Sequence, residues 1–302
     1  MIDTSPGHYE TDAAPDQELE QAGLQRQLPR RQGPNMKAIL AHVIKSALPA
    51  RHWTYLQSVR ARNHQLHWLK KHRVLDIAKR FSDSNGSSVL YGPFAGMKYP
   101  VASILSRHSV PMLLGSYERE LHEIIDAALR REYHLVIDVG SAEGYYAVGF
   151  ALKGRSPVVT FDADARELGL CKAMARLNGV ENRITARRWC TPEALRALAA
   201  GTRCFILSDC EGYEAELFGD ATANVLTRSD VLIEIHGDAY EPLRERFSKT
   251  HAVRTLVASE RSASDYSELA CLGADGACAV AEYRPPGQRW LYAVSRESVH
   301  SA

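Results

Sequence analysis

Residues 135–150, LVIDVGSAEGYYAVGF, decide the fold of this chain of 302 residues. An apolar strand carries Asp138 near its end and runs into a turn with Gly140 and Gly144, after which an apolar helix begins. A strand that is apolar on both faces and leads through a tight turn into a helix is typical of a parallel sheet covered by helices on both sides. The stretch therefore predicts an α/β domain with its ligand site at the strand-to-helix turns.

The same alternation of strands and helices continues to the end of the chain. Helices are predicted near residues 143–152, 166–177 and 214–226, and another is marked by Thr191 as its cap and Pro192 at its first position. The further strands are predicted in PVVTFD (157–162), ITARR (184–188), CFILSD (204–209), DVLIEIH (230–236), VRTLVAS (253–259) and RWLYAVS (289–295). The last two are expected to form a closing antiparallel pair. Residues 134–302 thus form the main domain.

Two segments ahead of this domain have unusual compositions. We expect a disordered tail over 1–35, because its few large apolar side chains bury too little surface to offset the entropy of ordering. We expect a basic helical extension over 36–83, since residues 36–81 carry ten Lys and Arg and one acid, Asp76. This extension either makes weak contact with an anionic membrane surface or forms a helical layer with a solvated charged face.

A connector rich in glycine and proline, followed by a lead-in helix, fills residues 84–133. The helix is predicted over Tyr117–Arg131, where apolar side chains recur on one face and Ser116 is placed to cap the start. Glu118 then lies in the first turn, where it suits the helix dipole. Tyr117 and Glu118 are alternatively part of a ligand pocket, but we prefer the helix start.

The composition argues against several classes of function. The 37 Lys and Arg balance 36 Asp and Glu, so the net charge of +1 gives no support to a specific nucleic-acid partner. No run approaches the roughly 18 apolar residues that span a bilayer, and the N-terminal residues lack the regions of a secretion signal. The six cysteines include no C-x-x-C pair, which makes a disulfide framework or a zinc site unexpected. We expect a cytoplasmic protein with reduced thiols; the composition indicates no oligomeric state.

The first two turns suit a nucleoside ligand that places no phosphate group beside the glycines. Three residues separate Gly140 from Gly144, whereas the dinucleotide motif has a further glycine for the close approach of a pyrophosphate. A side chain at Gly144 is expected to obstruct the ligand, and Glu143 favours a cationic or zwitterionic one. Asp162 follows Gly144 by 18 residues, near the distance at which a carboxylate accepts hydrogen bonds from ribose hydroxyls. Asp164 is an alternative for this role, and either aspartate could instead cap a helix.

Charged side chains also follow two later strands. Asp209 and Glu211 come after CFILSD, and Glu234 and His236 end DVLIEIH. Charged groups at the end of a buried strand cost desolvation free energy unless they have partners, so we expect a function for them. His236 is the first candidate for a general base by its ordinary pKa, with Asp209 and Glu211 next. Asp209 and Glu211 could alternatively hold Mg²⁺, but we do not favour a metal site.

Four segments together resemble the FkbM-type family of S-adenosylmethionine-dependent methyltransferases, of class I. They are VIDVGSAEGYYAVGFA (136–151), VVTFDADA (158–165), SDCEGYEAELF (208–218) and IEIHGD (233–238). The run Asp-Cys-Glu-Gly-Tyr-Glu at 209–214 is the most distinctive, and the resemblance covers about residues 110–240. The chain departs from the family at Asp162, where Glu is common, and at Leu207-Ser208, where an aliphatic residue or Lys is common.

The resemblance implies a doubly wound, mostly parallel sheet of seven strands and S-adenosylmethionine as the methyl donor. The acceptor would be a small molecule or a glycan, with transfer to oxygen by direct displacement. Residues around Arg188–Cys190 would flank the adenine. The residues placed at the cofactor are Asp138, Gly140, Ser141, Glu143, Gly144, Asp162, Ala163 and Asp209.

Two other functions fit parts of the sequence. A reductase using a nicotinamide cofactor could be built on a similar sheet. A non-catalytic module that binds membrane surfaces would have residues 36–81 as its active part. Binding of NAD(P) without binding of S-adenosylhomocysteine would favour the first, and salt-sensitive binding to liposomes would favour the second.

Overall fold

The structure, a computed structural model, describes residues 73–100, 106, 108–282, 284–285 and 287–298. The predicted tail and most of the predicted basic extension lie outside these residues. The described end of the extension is helix α1, Val74–Asn85, which buries Ile77 and Phe81. Among the helices described, none combines the length and apolar character needed to cross a membrane.

Seven strands form one sheet, which confirms the predicted fold class. Their spatial order is β3-β2-β1-β4-β5-β7-β6. The first five strands along the chain pair in parallel, whereas β7 lies antiparallel between β5 and β6. The predicted closing antiparallel pair is therefore correct. The strands are β1 Leu135–Val139, β2 Val158–Phe161, β3 Ile184–Arg187, β4 Cys204–Ser208, β5 Asp230–Glu234, β6 His251–Val257 and β7 Arg289–Ser295.

Helices connect the parallel strands and cover both faces of the sheet. The first two after α1 are α2 Ser109–Leu114 and α3 His122–Arg130, and those within the main domain are α4 Tyr145–Lys153, α5 Ala165–Leu177, α6 Pro192–Ala199, α7 Glu214–Leu217, α8 Asp220–Val225, α9 Tyr240–Ser248 and α10 Gly276–Val280. Short 3₁₀ helices lie at Arg119–Leu121, Glu181–Arg183, Ala263–Asp265, Ser267–Asp275 and Arg296–Ser298. Thr191 caps α6 by accepting a hydrogen bond from the backbone N–H of Ala194, as its sequence predicts.

The central strands are buried on both faces, as their apolar sequences predict. Every residue of β1, β2, β4 and β5 is buried. Successive side chains of a strand point to opposite faces, so Val136 joins the core cluster on one side and Ile137 the cluster on the other. The two edge strands β3 and β6 are more exposed because they lack a neighbour on one side, although His251 at the start of β6 is buried.

The lead-in helix is shorter than the sequence predicts. Helix α3 begins at His122, after the 3₁₀ turn Arg119–Leu121, and Ser116 does not cap it. Glu118 has a left-handed backbone, with φ of 48°, and its side chain is 3% exposed. The buried ion pair of Glu118 with Arg284, which lies 166 residues away in sequence, outweighs the local helix signal here.

One further helix prediction was wrong in detail. The single helix expected over 214–226 is two short helices, α7 and α8. The break falls at Phe218, a fully buried ring whose backbone oxygen accepts a hydrogen bond from Arg246.

Candidate functional site

The carboxyl ends of β1 and β4 lie side by side, where the strand order reverses. Val139 pairs with Ser208, and the backbone N–H of Asp209 donates to the oxygen of Val139 at 2.8 Å. The backbone N–H of Gly140 donates to the oxygen of Phe161 at the end of β2, also at 2.8 Å. Ligands of open parallel sheets bind at such a reversal, and three of the four turns singled out in the sequence meet here.

Both glycines of the first turn are required by the protein's own packing. Gly140 and Gly144 have φ of +91° and +100°, a region that side chains disfavour. A Cβ atom on Gly140 would overlap the backbone oxygen of Asp209. A Cβ on Gly144 would lie 2.8 Å from the sulfur of Cys171 in α5. A side chain at Gly144 would therefore obstruct the neighbouring helix, a reason that the sequence did not indicate; its obstruction of a ligand stays a prediction.

The turn closes over a cavity of about 60 Å³ whose polar wall is acidic. Ser141 and the loop backbone form one side, and none of the described residues lining the cavity is basic. Its four carboxylates belong to Glu118, Glu143, Asp209 and Glu234. Glu143, predicted for the cofactor, is thus at the cavity; its side chain accepts a hydrogen bond from the buried Tyr99, and burial raises its pKa.

Aromatic rings form the other wall. They are Tyr117, Tyr145, Tyr146 and Trp290. The rings of Tyr117 and Tyr145 meet edge to face with centroids 5.6 Å apart, and Tyr145 meets Tyr146 at 5.5 Å. A cavity that joins carboxylates to aromatic faces offers a cation both charge and quadrupole attraction.

Asp138 lies in β1, directly before the turn, and is not among the residues lining the cavity. It is 1% exposed, and one carboxylate oxygen accepts a hydrogen bond from Thr160 at 2.9 Å. The other oxygen, Oδ1, is buried without a hydrogen-bond partner in the described part of the chain. Burial raises the pKa of Asp138 to about 7, although Thr160 opposes the shift.

The two aspartates of the second turn have different roles. Asp162 accepts hydrogen bonds from the backbone N–H of Ala142 at 2.8 Å and of Asp164 at 2.7 Å, so it ties the first turn to the second. Asp164 caps α5 by accepting from the backbone N–H of Arg166. Asp162 is half-buried, which raises its pKa. The next residue, Ala163, has its backbone oxygen bound by Arg188 at 2.6 Å.

The three predicted catalytic side chains meet around the imidazole of His236. Its Nε2 lies 3.8 Å from Oδ1 of Asp209 and 3.7 Å from Oε2 of Glu211. Its Nδ1 lies 2.8 Å from Oε1 of Glu214, which the sequence analysis had not selected. Glu211 has a left-handed backbone, and its side chain is 83% exposed, whereas Asp209 lines the cavity.

The charges in this group shift one another's protonation. The hydrogen bond to Glu214 raises the pKa of His236 to about 9, against the opposing effect of burial. Burial raises the pKa of Asp209, and the charges of Glu118 and Glu211 raise it further. Burial also favours the neutral form of Glu214, but the hydrogen bonds from His236 and Gly212 outweigh it and lower its pKa.

Arg284 joins two of the cavity's carboxylates and was missed in the sequence. Its guanidinium pairs with Glu118, and with Glu234 at 2.7 Å. It also stacks over Trp290, 4.9 Å from the ring centroid, and over Tyr117 at 5.4 Å. The preference for a plain helix start at Tyr117 and Glu118 was therefore wrong, since both belong to the pocket. Nothing in the run RPPGQRW around Arg284 signals this contact.

The same carboxylates fit a divalent cation poorly. Ligand atoms of Asp209, Glu234 and His236 lie within 4.8 Å of one another. However, Glu234 already pairs with Arg284, and Nδ1 of His236 is already bound to Glu214, which leaves the ring one nitrogen for a metal. Mg²⁺ prefers oxygen ligands in an octahedral arrangement. We therefore derive no step through a metal.

Comparisons with known proteins find solved structures only. No protein-family model and no curated protein matches the chain. It is similar to the O-methyltransferase TomG from Streptomyces achromogenes, solved with SAM, at 12% identity over 56% of this chain and 76% of that one, with a TM-score of 0.39. It is also similar to a precorrin-6y C5,15-methyltransferase from Geobacter metallireducens, at 14% identity over 60% and 90% of the two chains, with a TM-score of 0.42. Similarities of this size assign no activity to the chain.

Proposed function

We propose that the chain is an S-adenosylmethionine-dependent methyltransferase that acts on a hydroxyl group of a small molecule or a glycan. One observation carries the proposal: the turn between Gly140 and Gly144 closes on a cavity walled by carboxylates and aromatic rings, with no basic side chain among its described lining residues. A sulfonium and an ammonium group are both cations and suit this wall. A pyrophosphate would meet four carboxylates, and the guanidinium of Arg284 beside them already pairs with Glu118 and Glu234.

The residues around the cavity fit the parts of this cofactor. Asp138 has a buried carboxylate oxygen that lacks a partner in the described structure, and Glu143 lines the cavity, so both suit an ammonium group. Asp162 uses one hydrogen bond at each carboxylate oxygen, which leaves lone pairs for ribose hydroxyls. Trp189 is 60% exposed beyond β3 and has the guanidinium of Arg188 over its ring at 5.6 Å, which leaves the other ring face to stack on adenine.

When bound, the cofactor supplies an electrophilic methyl group. The chain's own residues would orient the acceptor, exclude water and take up the acceptor's proton. Asp209 lines the cavity, with Oδ1 lacking a hydrogen-bond partner among the described residues, and His236 lies next to it. Asp209 is the proton acceptor that the geometry favours first, because the hydrogen bond to Glu214 raises the pKa of His236 and favours its protonated form, and the side chain of Glu211 is 83% exposed.

We further place the chain with the FkbM-type methyltransferases. Two of the four segments that carry this resemblance, those containing Asp209–Glu214 and Glu234–His236, are separate in sequence but meet at one contact, the 2.8 Å hydrogen bond between Glu214 and His236. A motif whose members contact each other beside the cavity supports a shared chemical role.

Isothermal titration with S-adenosylhomocysteine and with NADPH tests the proposal. We expect saturable binding of S-adenosylhomocysteine to the full chain and no binding of NADPH. Incubation with labelled S-adenosylmethionine and a fractionated pool of glycans and small metabolites should then transfer label to a fraction rich in hydroxyl groups. Binding of NADPH without binding of S-adenosylhomocysteine would overturn the proposal in favour of a reductase.

A further inference from the structure

We propose that Glu214 is the positioning residue for His236: it binds Nδ1 of the ring and thereby directs Nε2 to Asp209 at the edge of the cavity. The inference rests on the proposed methyl transfer, in which this edge receives the acceptor's proton. It adds to the three predicted side chains a fourth whose role is to fix the tautomer and the orientation of the ring.

Glu214 is held too firmly to serve as a mobile surface acid. Its side chain is fully buried at the start of α7. Oε1 accepts from the backbone N–H of Gly212 at 3.0 Å and from His236 at 2.8 Å. Oε2 has no partner among the described residues. A buried carboxylate is costly unless it is paired, so His236 and Glu214 keep each other in place.

In the described part of the chain, four carboxyl groups approach the ring of His236. Asp209 and Glu211 approach the ring from the loop after β4, and Glu214 binds it from α7. The carboxyl group of Glu234, at the end of β5, raises the pKa of the ring through its charge. Four negative groups around one imidazole favour the imidazolium. The hydrogen bond to Glu214 is the largest contribution to its raised pKa of about 9.

A protonated His236 leaves Asp209 as the first acceptor of a proton from the substrate. The positive ring favours the ionised form of Asp209, against burial and the neighbouring carboxylates. As the bond from sulfur to the methyl carbon breaks and the bond from that carbon to the acceptor oxygen forms, the hydroxyl proton passes to Asp209. The proton then leaves to solvent, which balances the reaction.

Nuclear magnetic resonance of the full chain with labelled histidine tests the proposal directly. The signal of His236 is assigned by its loss in His236→Asn. In the wild-type chain we expect titration near pH 9 and, above it, the neutral tautomer with the proton on Nδ1. In Glu214→Gln we expect the midpoint to fall by at least about one pH unit. The control Glu216→Gln, an exposed residue of the same helix, should leave it unchanged.

Two results would overturn the proposal. One is a Glu214→Gln midpoint within about 0.3 pH units of the wild-type value. The other is a neutral wild-type ring with its proton on Nε2, a measurement that decides the matter even if Glu214→Gln does not fold. S-adenosylhomocysteine binding separates this inference from the proposed function. A wild-type chain that does not bind that compound loses the methyltransferase proposal, while the titration still reports on Glu214.

Discussion

Replacing Asp138 with asparagine would separate the stability that this buried carboxyl costs from the cofactor binding that we propose for it. The pKa of Asp138 rises from 3.8 to about 7 in the folded chain, chiefly through burial. The folded state therefore retains a proton that the unfolded state loses. The stability that this proton contributes is fully present below pH 3.8 and is lost as the pH rises to about 7. Asparagine does not titrate, so the Asp138→Asn variant loses no stability at this position over this pH range.

The magnitude follows from the shift. One pH unit of differential protonation corresponds to about 1.4 kcal/mol, so the stability difference between Asp138→Asn and wild type should grow by roughly 2–3 kcal/mol between about pH 5 and pH 8. Urea unfolding followed by circular dichroism at several pH values measures it. The exposed Asp238→Asn controls for the loss of one charge. A stability difference that stays constant with pH would refute the assignment of a raised pKa to Asp138.

The same variant tests the binding role of the carboxylate. A ligand ammonium beside Asp138 would favour its ionised form, so wild-type binding of S-adenosylhomocysteine near pH 6.5 should release a proton. Titration calorimetry in two buffers of different ionisation enthalpy measures this release. Asp138→Asn should abolish it and weaken binding by roughly tenfold or more, because hydrogen bonds to charged groups contribute about 1.5–3 kcal/mol. Equal proton release in both proteins would place the ammonium elsewhere.

Three other substitutions test separate parts of the account. Asp162→Ala should weaken S-adenosylhomocysteine binding by roughly 10- to 150-fold. Asp164→Ala should lose only about 1 kcal/mol of stability with the helix cap. If calorimetry gave the two variants equal affinities for S-adenosylhomocysteine, the ribose assignment would be contradicted. Gly140→Ala should destabilise the fold by roughly 2–4 kcal/mol, because its Cβ meets backbone. The control Gly169→Ala in an open helical position should be neutral or slightly stabilising in the same unfolding assay. Arg284→Met should cost about 3–5 kcal/mol by leaving buried carboxylates unpaired, and wild-type stability would argue against that network.

The strands and their turns could be predicted because short-range pattern determines them. Continuous apolar runs such as residues 204–208 are buried on both faces, and the Thr191-Pro192 pair begins α6 as its sequence indicates. The positions of Asp209 and His236 at neighbouring strand ends follow from the same logic, because parallel strands bring their carboxyl ends to one edge.

The rest of the site depends on contacts that no local pattern encodes. Arg284 and Glu118 are 166 residues apart, and neither the pairing nor the left-handed backbone of Glu118 has a sequence signal. The reason for Gly144 is likewise a contact with Cys171 on another helix. Glu214 lies within the recognised motif, but only the folded chain shows that it binds the ring of His236.

A crystal structure of the chain grown with S-adenosylhomocysteine tests the central claim most directly. The account predicts the homocysteine part in the cavity beside Gly140–Gly144, the ribose hydroxyls on Asp162, and the sulfur facing Asp209. Density for the compound outside this cavity would contradict the account. So would a cavity that holds no density for the compound in a chain saturated with it.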